Sequence, residues 1–359
     1  MTRYELLKLM CDGLTDTDNA PQLQKIITGI DNWEILIKEV SGQLLTPALY
    51  YSLSKKKLLE DIPNDVVEYF EVIYELSAEH NRVFFSEMFE LGKQLNAAGV
   101  KPVLLKGAGS LWDDTYQDIG IRMMSDVDML VSLEQYPACI KVFEELGYYT
   151  TANAKFWDDD EPHLPPYYHR NNRARFEVHH EVFSKRFQSI LPAQDMLKQA
   201  RLCTHDGVDF YLPSPTHRVL HNIVHSQLDD KGYKLRRVYF RQLYDQYVLH
   251  SHFAANIDWS EINTRMRVAG HERAFQYALQ LESCFFAEDI AVDLSLDKVV
   301  ARQVQFIPFW LNNWYYLKIR SFGLNFPSAL SSTIRKIYNT LIYKDYRKRV
   351  WKRLFAWGR

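Results

Sequence analysis

The stretch Ser125-Asp126-Val127-Asp128-Met129-Leu130-Val131 decides how the rest of the chain is read. Two carboxylates one residue apart stand at the entrance of an apolar run. In a β-strand, alternate residues point to the same face, so Asp126 and Asp128 are expected to project together. Two carboxylates about 4 Å apart repel by roughly 4 kcal/mol at an effective dielectric near 20. A fold carries that load when a cation sits between them, when one takes a proton, or when basic partners balance both. Mg²⁺ suits such a site because it takes oxygen ligands and keeps positions open for substrate phosphates. Taken alone, an Asp-x-Asp triplet is more often a solvated turn or a helix cap, so its neighbours decide.

Three neighbours bear on it. Upstream, Pro102-Val103-Leu104-Leu105 reads as a buried strand, followed by the small-residue turn Lys106-Gly107-Ala108-Gly109-Ser110 and then a helix. Small residues let backbone N–H groups approach a phosphate, and a helix N-terminus favours an anion; a plain strand-to-helix turn is the alternative. Arg122 precedes the pair, and its fork either holds a triphosphate or closes a structural salt bridge. Downstream, Arg175-Phe176-Glu177-Val178-His179 alternates as a strand does, and an acid inside an apolar strand needs a partner. A third carboxylate at Glu177 completes a two-metal site or acts as general base. His179 and His180 follow it, one of them touching the site or both serving as core and surface residues.

The organisation around these motifs is helical, then mixed, then helical. Leu6, Leu7, Met10 and Leu14 repeat at helical spacing, as do Ile26, Ile27, Ile30, Trp33 and Ile37 within 22–40. A long amphipathic run covers about 65–98, starting at Pro63 or Asn64 and stopping at the Ala-Ala-Gly of 97–99. Strands are expected at 102–105, 127–131, 148–151, 175–179 and 208–212, with a helix from Leu133 to Leu146 ended by Gly147. The acidic, proline-containing stretch 152–166 reads as a loop or hairpin connection. Helices are expected near 216–229, 235–251, 258–268 and 270–286 and through the C-terminal third. This divides the chain into an N-terminal helical region (1–98), an α/β core (99–213) and a helical C-terminal domain (214–359), an α+β fold.

The motif set resembles a known family. Val103-Leu104-Leu105-Lys106-Gly107, Tyr116, Arg122, Asp126-Val127-Asp128-Met129-Leu130-Val131 and Glu177-Val178-His179 are similar to the uncharacterised nucleotidyltransferase family of the DNA-polymerase-β-like superfamily. His221 and His225, Leu235-Arg236-Arg237 and Leu243-Tyr244-Asp245 extend the resemblance, which covers roughly 80–250. It implies a small mixed sheet flanked by helices and a Mg²⁺- or Mn²⁺-dependent transfer of a nucleotidyl group, AMP from ATP, from a nucleoside triphosphate to an acceptor. It also implies that Asp126, Asp128 and Glu177 bind metal and carry catalysis. Lys106, Gly107, Gly109, Ser110, Arg122, Ser125 and His179 are then expected around the nucleotide. The chain departs from the superfamily pattern in two places: its glycine turn lies farther upstream of the acidic pair, and its third acid is Glu where Asp is commoner.

The totals narrow the alternatives. The 359 residues are 47% hydrophobic and 25% charged, which fits a folded protein. A net charge of −2 gives no push toward nucleic acid. Cys11, Cys139, Cys203 and Cys284 have no paired spacing, which points to a reducing, cytoplasmic setting. No apolar run long enough to span a bilayer is seen, and the acceptor is unspecified. His221 and His225, one helical turn apart, are weighed as a zinc pair lacking a visible third ligand. Arg236, Arg237 and Arg241 are weighed as phosphate ligands against a solvated helix face. The basic, aromatic segment 343–357 is weighed as a membrane- or partner-binding element against a packed helix. A sugar-nucleotide transferase using the Asp pair is disfavoured because only one strand precedes the pair. A catalytically degenerate module that binds nucleotide or protein is the alternative to the enzyme.

Overall fold

The computed structural model describes residues 1–150, 162–286 and 295–313. The segment expected to bridge 152–166 and the basic aromatic C-terminus fall wholly or largely outside these residues. Five helices open the chain: α1 (Arg3–Leu14), α2 (Ala20–Ile27), α3 (Trp33–Gly42), α4 (Thr46–Lys55) and α5 (Asn64–Ala97). Thr2 caps α1 in a reciprocal box with Glu5, which satisfies backbone N–H groups that no helical partner reaches. The single helix expected over 22–40 is two helices, because Asn32 caps a fresh start by accepting from the Ile35 amide. Helix α5 runs for 34 residues and so about 51 Å.

The mixed part comes next as β1 (Val103–Leu104), α6 (Lys106–Trp112), β2 (Val127–Leu130), α7 (Tyr136–Glu145), β3 (Tyr149–Thr150), β4 (Tyr167–Tyr168), β5 (Phe176–His179), α8 (Ala193–Gln199), β6 (Arg201–His205) and β7 (Val208–Leu212). The expected turn at 106–110 is corrected: these residues are the first turns of α6 itself. The remaining helices are α9 (Pro215–Val224), α10 (Gly232–Leu235), α11 (Phe240–Phe253), α12 (Trp259–Val268), α13 (Glu272–Phe286), α14 (Lys298–Gln305) and α15 (Ile307–Asn312). Ser214 caps α9 and Pro215 fills its first turn, where a missing N–H costs nothing. A π-helical turn, His225–Asp229, prolongs α9, and Arg236 in the left-handed region (φ 60°) delays α11 to Phe240 rather than 235. No helix among the described residues is long and apolar enough to cross a membrane.

The seven strands form one mixed sheet in the order β3-β4-β5-β2-β1-β7-β6, an α+β architecture. β2 pairs parallel with β5 and β1 parallel with β7, while the other neighbours run antiparallel. Alternation sorts the side chains. Leu104, Val127, Met129, Phe176, Val178 and Phe210 pack on one face against α5 and α7. Val103, Leu105 and Leu130 turn the other way, into a core with α9, α12 and α13. Asp128 shares the face of Leu130, so the acidic pair looks toward the C-terminal helices. A third core joins α1–α5 to α11 and α13–α15.

Candidate functional site

The parallel pairing of β2 with β5 assembles the acids. Its register sets Asp128 opposite Glu177 and Leu130 opposite His179, so Asp128, Glu177 and His179 share one face. Asp126 precedes β2 and keeps the same side. Asp126 and Asp128 both line a cleft of about 180 Å³ between the sheet and the helices α9 and α11. Lys106, Gly107, Ser110, Arg122 and Ser125 line it too, opposite Arg218, His221, Asn222, His225, Arg241 and Gln242. Glu177 and His179 sit just behind this lining, and Gly109 is packed away from it.

The acids are only partly balanced. Lys106 Nζ lies 3.0 Å from Asp128 Oδ1, and His179 Nε2 lies 2.9 Å from the same oxygen. Burial would raise the Asp128 pKa, but the Lys106 charge and the His179 hydrogen bond override it and hold the group well below the usual carboxylate range. Arg175 Nη2 bridges Asp126 and Glu177, 3.2 Å from Glu177 Oε1. Burial, then the charge of Asp128, pushes the Glu177 pKa up. Three carboxylates thus meet two cations at the rim of an open cleft.

The glycines expected to cradle phosphate have packing reasons. A Cβ on Gly107 would lie 1.9 Å from Arg122 Nη1 and 2.5 Å from Met124 Sδ. On Gly109 it would meet the Leu104 carbonyl at 3.0 Å. Lys106 takes the left-handed conformation (φ 48°), which swings its side chain onto Asp128 at a cost that only a rigid surround sustains. Ser110 accepts from Arg218 Nη2 at 2.8 Å, and Arg218 also holds Asp113 at 2.6 Å.

Arg122 resolves toward its structural alternative. Its Nε and Nη2 hold Asp245 at 3.1 and 2.9 Å, and the Tyr116 hydroxyl donates to the same carboxylate. Burial opposes the charge, yet Arg122 brings the Asp245 pKa down. The resemblance motifs Tyr116, Arg122 and Leu243-Tyr244-Asp245 therefore meet in space. Of the three weighed arginines, Arg241 lines the cleft; among the described residues neither a hydrogen bond nor an ion pair occupies it. His221 and His225 face the cleft with ring centroids 6.5 Å apart, but no third donor joins them among the described residues. Burial and the Lys106 charge push the His221 pKa well down, so its ring is neutral near pH 7.

Sequence reasoning missed Arg175 as a partner of the acids. Its place two residues before Glu177, and so on the same strand face, was the available signal. It also missed His163, which a β-bridge brings opposite His179.

The chain matches the family of uncharacterised nucleotidyltransferases over residues 31–287, well over half its length, and belongs to that family. No curated protein matches it.

Proposed function

With that family as premise, we propose that the cleft transfers a nucleotidyl group, AMP from ATP, from a nucleoside triphosphate to an acceptor, in a metal-dependent reaction on a polymerase-β-like core. The observation that carries the reading is the surplus of negative charge at Asp126, Asp128 and Glu177, beside a cleft with unspent cationic capacity at Arg241. An all-carboxylate donor set on an open cleft fits Mg²⁺ or Mn²⁺. Asp126 and Asp128 would hold the ion, with Glu177 as the third acid once Arg175 turns aside. Such an ion would supply charge neutralisation at the triphosphate. In the reaction the acceptor's nucleophile forms a bond to the α-phosphorus while the bond to the bridging oxygen breaks and pyrophosphate leaves. Lys106 and Arg241 would meet phosphate oxygens. Ser110, Arg122, Ser125 and the backbone at Gly107 line the same wall, while Gly109 and His179 lie outside the lining.

A nucleotide-binding module without transfer is the second reading. Arg175 seated between Asp126 and Glu177 favours it, because a protein cation already occupies part of the acidic site.

Calorimetric titration of ATP, GTP, CTP and UTP with Mg²⁺, on wild type and on an Asp126→Asn/Asp128→Asn double variant, tests the assignment. Metal-dependent binding lost in the double variant is the expected result. Equal binding by both proteins would overturn the site. Binding without label transfer from an α-³²P-labelled nucleotide to any acceptor in a broad screen would select the second reading.

A further inference from the structure

We propose that His163, Glu177 and His179 form a site for one divalent transition-metal ion, beside the Asp126–Asp128 pair and sharing Glu177 with it. Strand geometry brings the three together. Glu177 and His179 are alternate residues of β5 and share a face, and the antiparallel bridge between His163 and His179 sets His163 directly across from them. One donor atom from each of the three side chains lies within 4.8 Å of the others, and His163 Nε2 is 3.6 Å from Glu177 Oε2. Ligands about 2.1 Å from a tetrahedral ion sit about 3.4 Å apart, so small side-chain adjustments close the set.

The hydrogen bonds fix which ring nitrogens are offered. His163 Nδ1 lies 2.7 Å from the Leu164 carbonyl, and His179 Nδ1 lies 3.3 Å from that of Glu181. A carbonyl only accepts, so the His163 proton sits on Nδ1 and its Nε2 offers a lone pair toward Glu177, while His179 Nε2 donates to Asp128 Oδ1 at 2.9 Å and would give up that proton to a bound cation. A lone pair of His163 Nε2 against the Glu177 carboxylate at 3.6 Å is repulsive, and one cation shared between the rings and the acid reverses the sign. Backbone carbonyls holding the distal nitrogens are also the arrangement that orients imidazole ligands around a metal. Two imidazoles with a carboxylate suit Zn²⁺ or its first-row neighbours better than Mg²⁺, which prefers oxygen alone.

Co²⁺ serves as an optical probe, titrated without nucleotide into the full chain after EDTA treatment. The wild type is expected to develop the visible bands of nitrogen-ligated Co²⁺, undiminished by excess Mg²⁺. His163→Ala is expected to weaken binding at least about tenfold, while Asp126→Asn binds as the wild type does. Absent bands, full binding by His163→Ala, displacement by Mg²⁺, or an equal loss in Asp126→Asn would each overturn the proposal. Should circular dichroism show His163→Ala unfolded, His163→Gln carries the same expected loss. Failure of nucleotidyl transfer leaves this readout untouched, since it uses no nucleotide.

Discussion

Two charge clusters share one cleft and are built in opposite ways. Around Arg122, one guanidinium meets one carboxylate through two hydrogen bonds, and Tyr116 fills the remaining capacity of Asp245. Around Asp128, three carboxylates share Lys106 and Arg175 and leave negative charge over. The first is self-sufficient and reads as structure. The second keeps an excess of negative charge beyond its bonds to Lys106, Arg175 and His179, which the proposed cation would balance.

Breaking each cluster should give opposite signatures. Asp245→Ala strands a largely buried guanidinium and should cost up to about 3–5 kcal/mol, read as a lower urea midpoint at unchanged slope. Asp126→Asn removes one member of an overloaded acidic set. It should leave the unfolding midpoint unchanged or slightly higher, yet lower transfer roughly 10²–10³-fold, as the loss of several kcal/mol of charge stabilisation implies. Gly107→Ala tests the wall between the clusters. Its methyl would meet the Arg122 guanidinium and Met124 Sδ, so a destabilisation of about 1–3 kcal/mol is expected by thermal melting.

The smallest effect concerns pH. Burial opposes but Arg122 prevails, so the Asp245 pKa is lower in the folded chain than in the unfolded one. Its contribution is therefore complete above the unfolded carboxylate value of about 4 and is lost as pH falls below it. Asp245→Asn should flatten the acid limb of the stability curve, measured by denaturant titration at successive pH values. A variant with the same acid limb as wild type would show that Arg122 is satisfied by some other group.

Much of this was legible from spacing alone. Helix α5 could be read almost to its ends because 34 residues of apolar periodicity leave no other answer. The common side of Asp126 and Asp128 was legible from strand alternation, whereas the face that Asp128 shares with Glu177 and His179 needed the parallel pairing of β2 with β5. What failed depended on partners distant in sequence. Lys106–Ser110 looked like a turn because glycine weakens a helix, but packing of Gly107 under Arg122 forms one there regardless. β6 went unseen because Arg201-Leu202-Cys203-Thr204-His205 lies at the sheet edge and need not alternate in hydrophobicity. β4 has two residues, too few to carry any period. The role of Arg122 was left between triphosphate and salt bridge, and only Asp245, far along the chain, decides it.

The core that joins α1–α5 to α11 and α13–α15 has a consequence for biosynthesis. Arg3 donates to the Leu311 carbonyl, the Tyr4 amide donates to Asn312, and Lys8 reaches the Phe285 carbonyl. During synthesis α1–α5 therefore find part of their apolar cover only after α11 and the helices beyond it have been made. At about 5–20 residues per second that is a wait on the order of tens of seconds. During it, Leu6, Leu7 and Met10 lack part of their final cover, and a chain that stops before α11 never completes it.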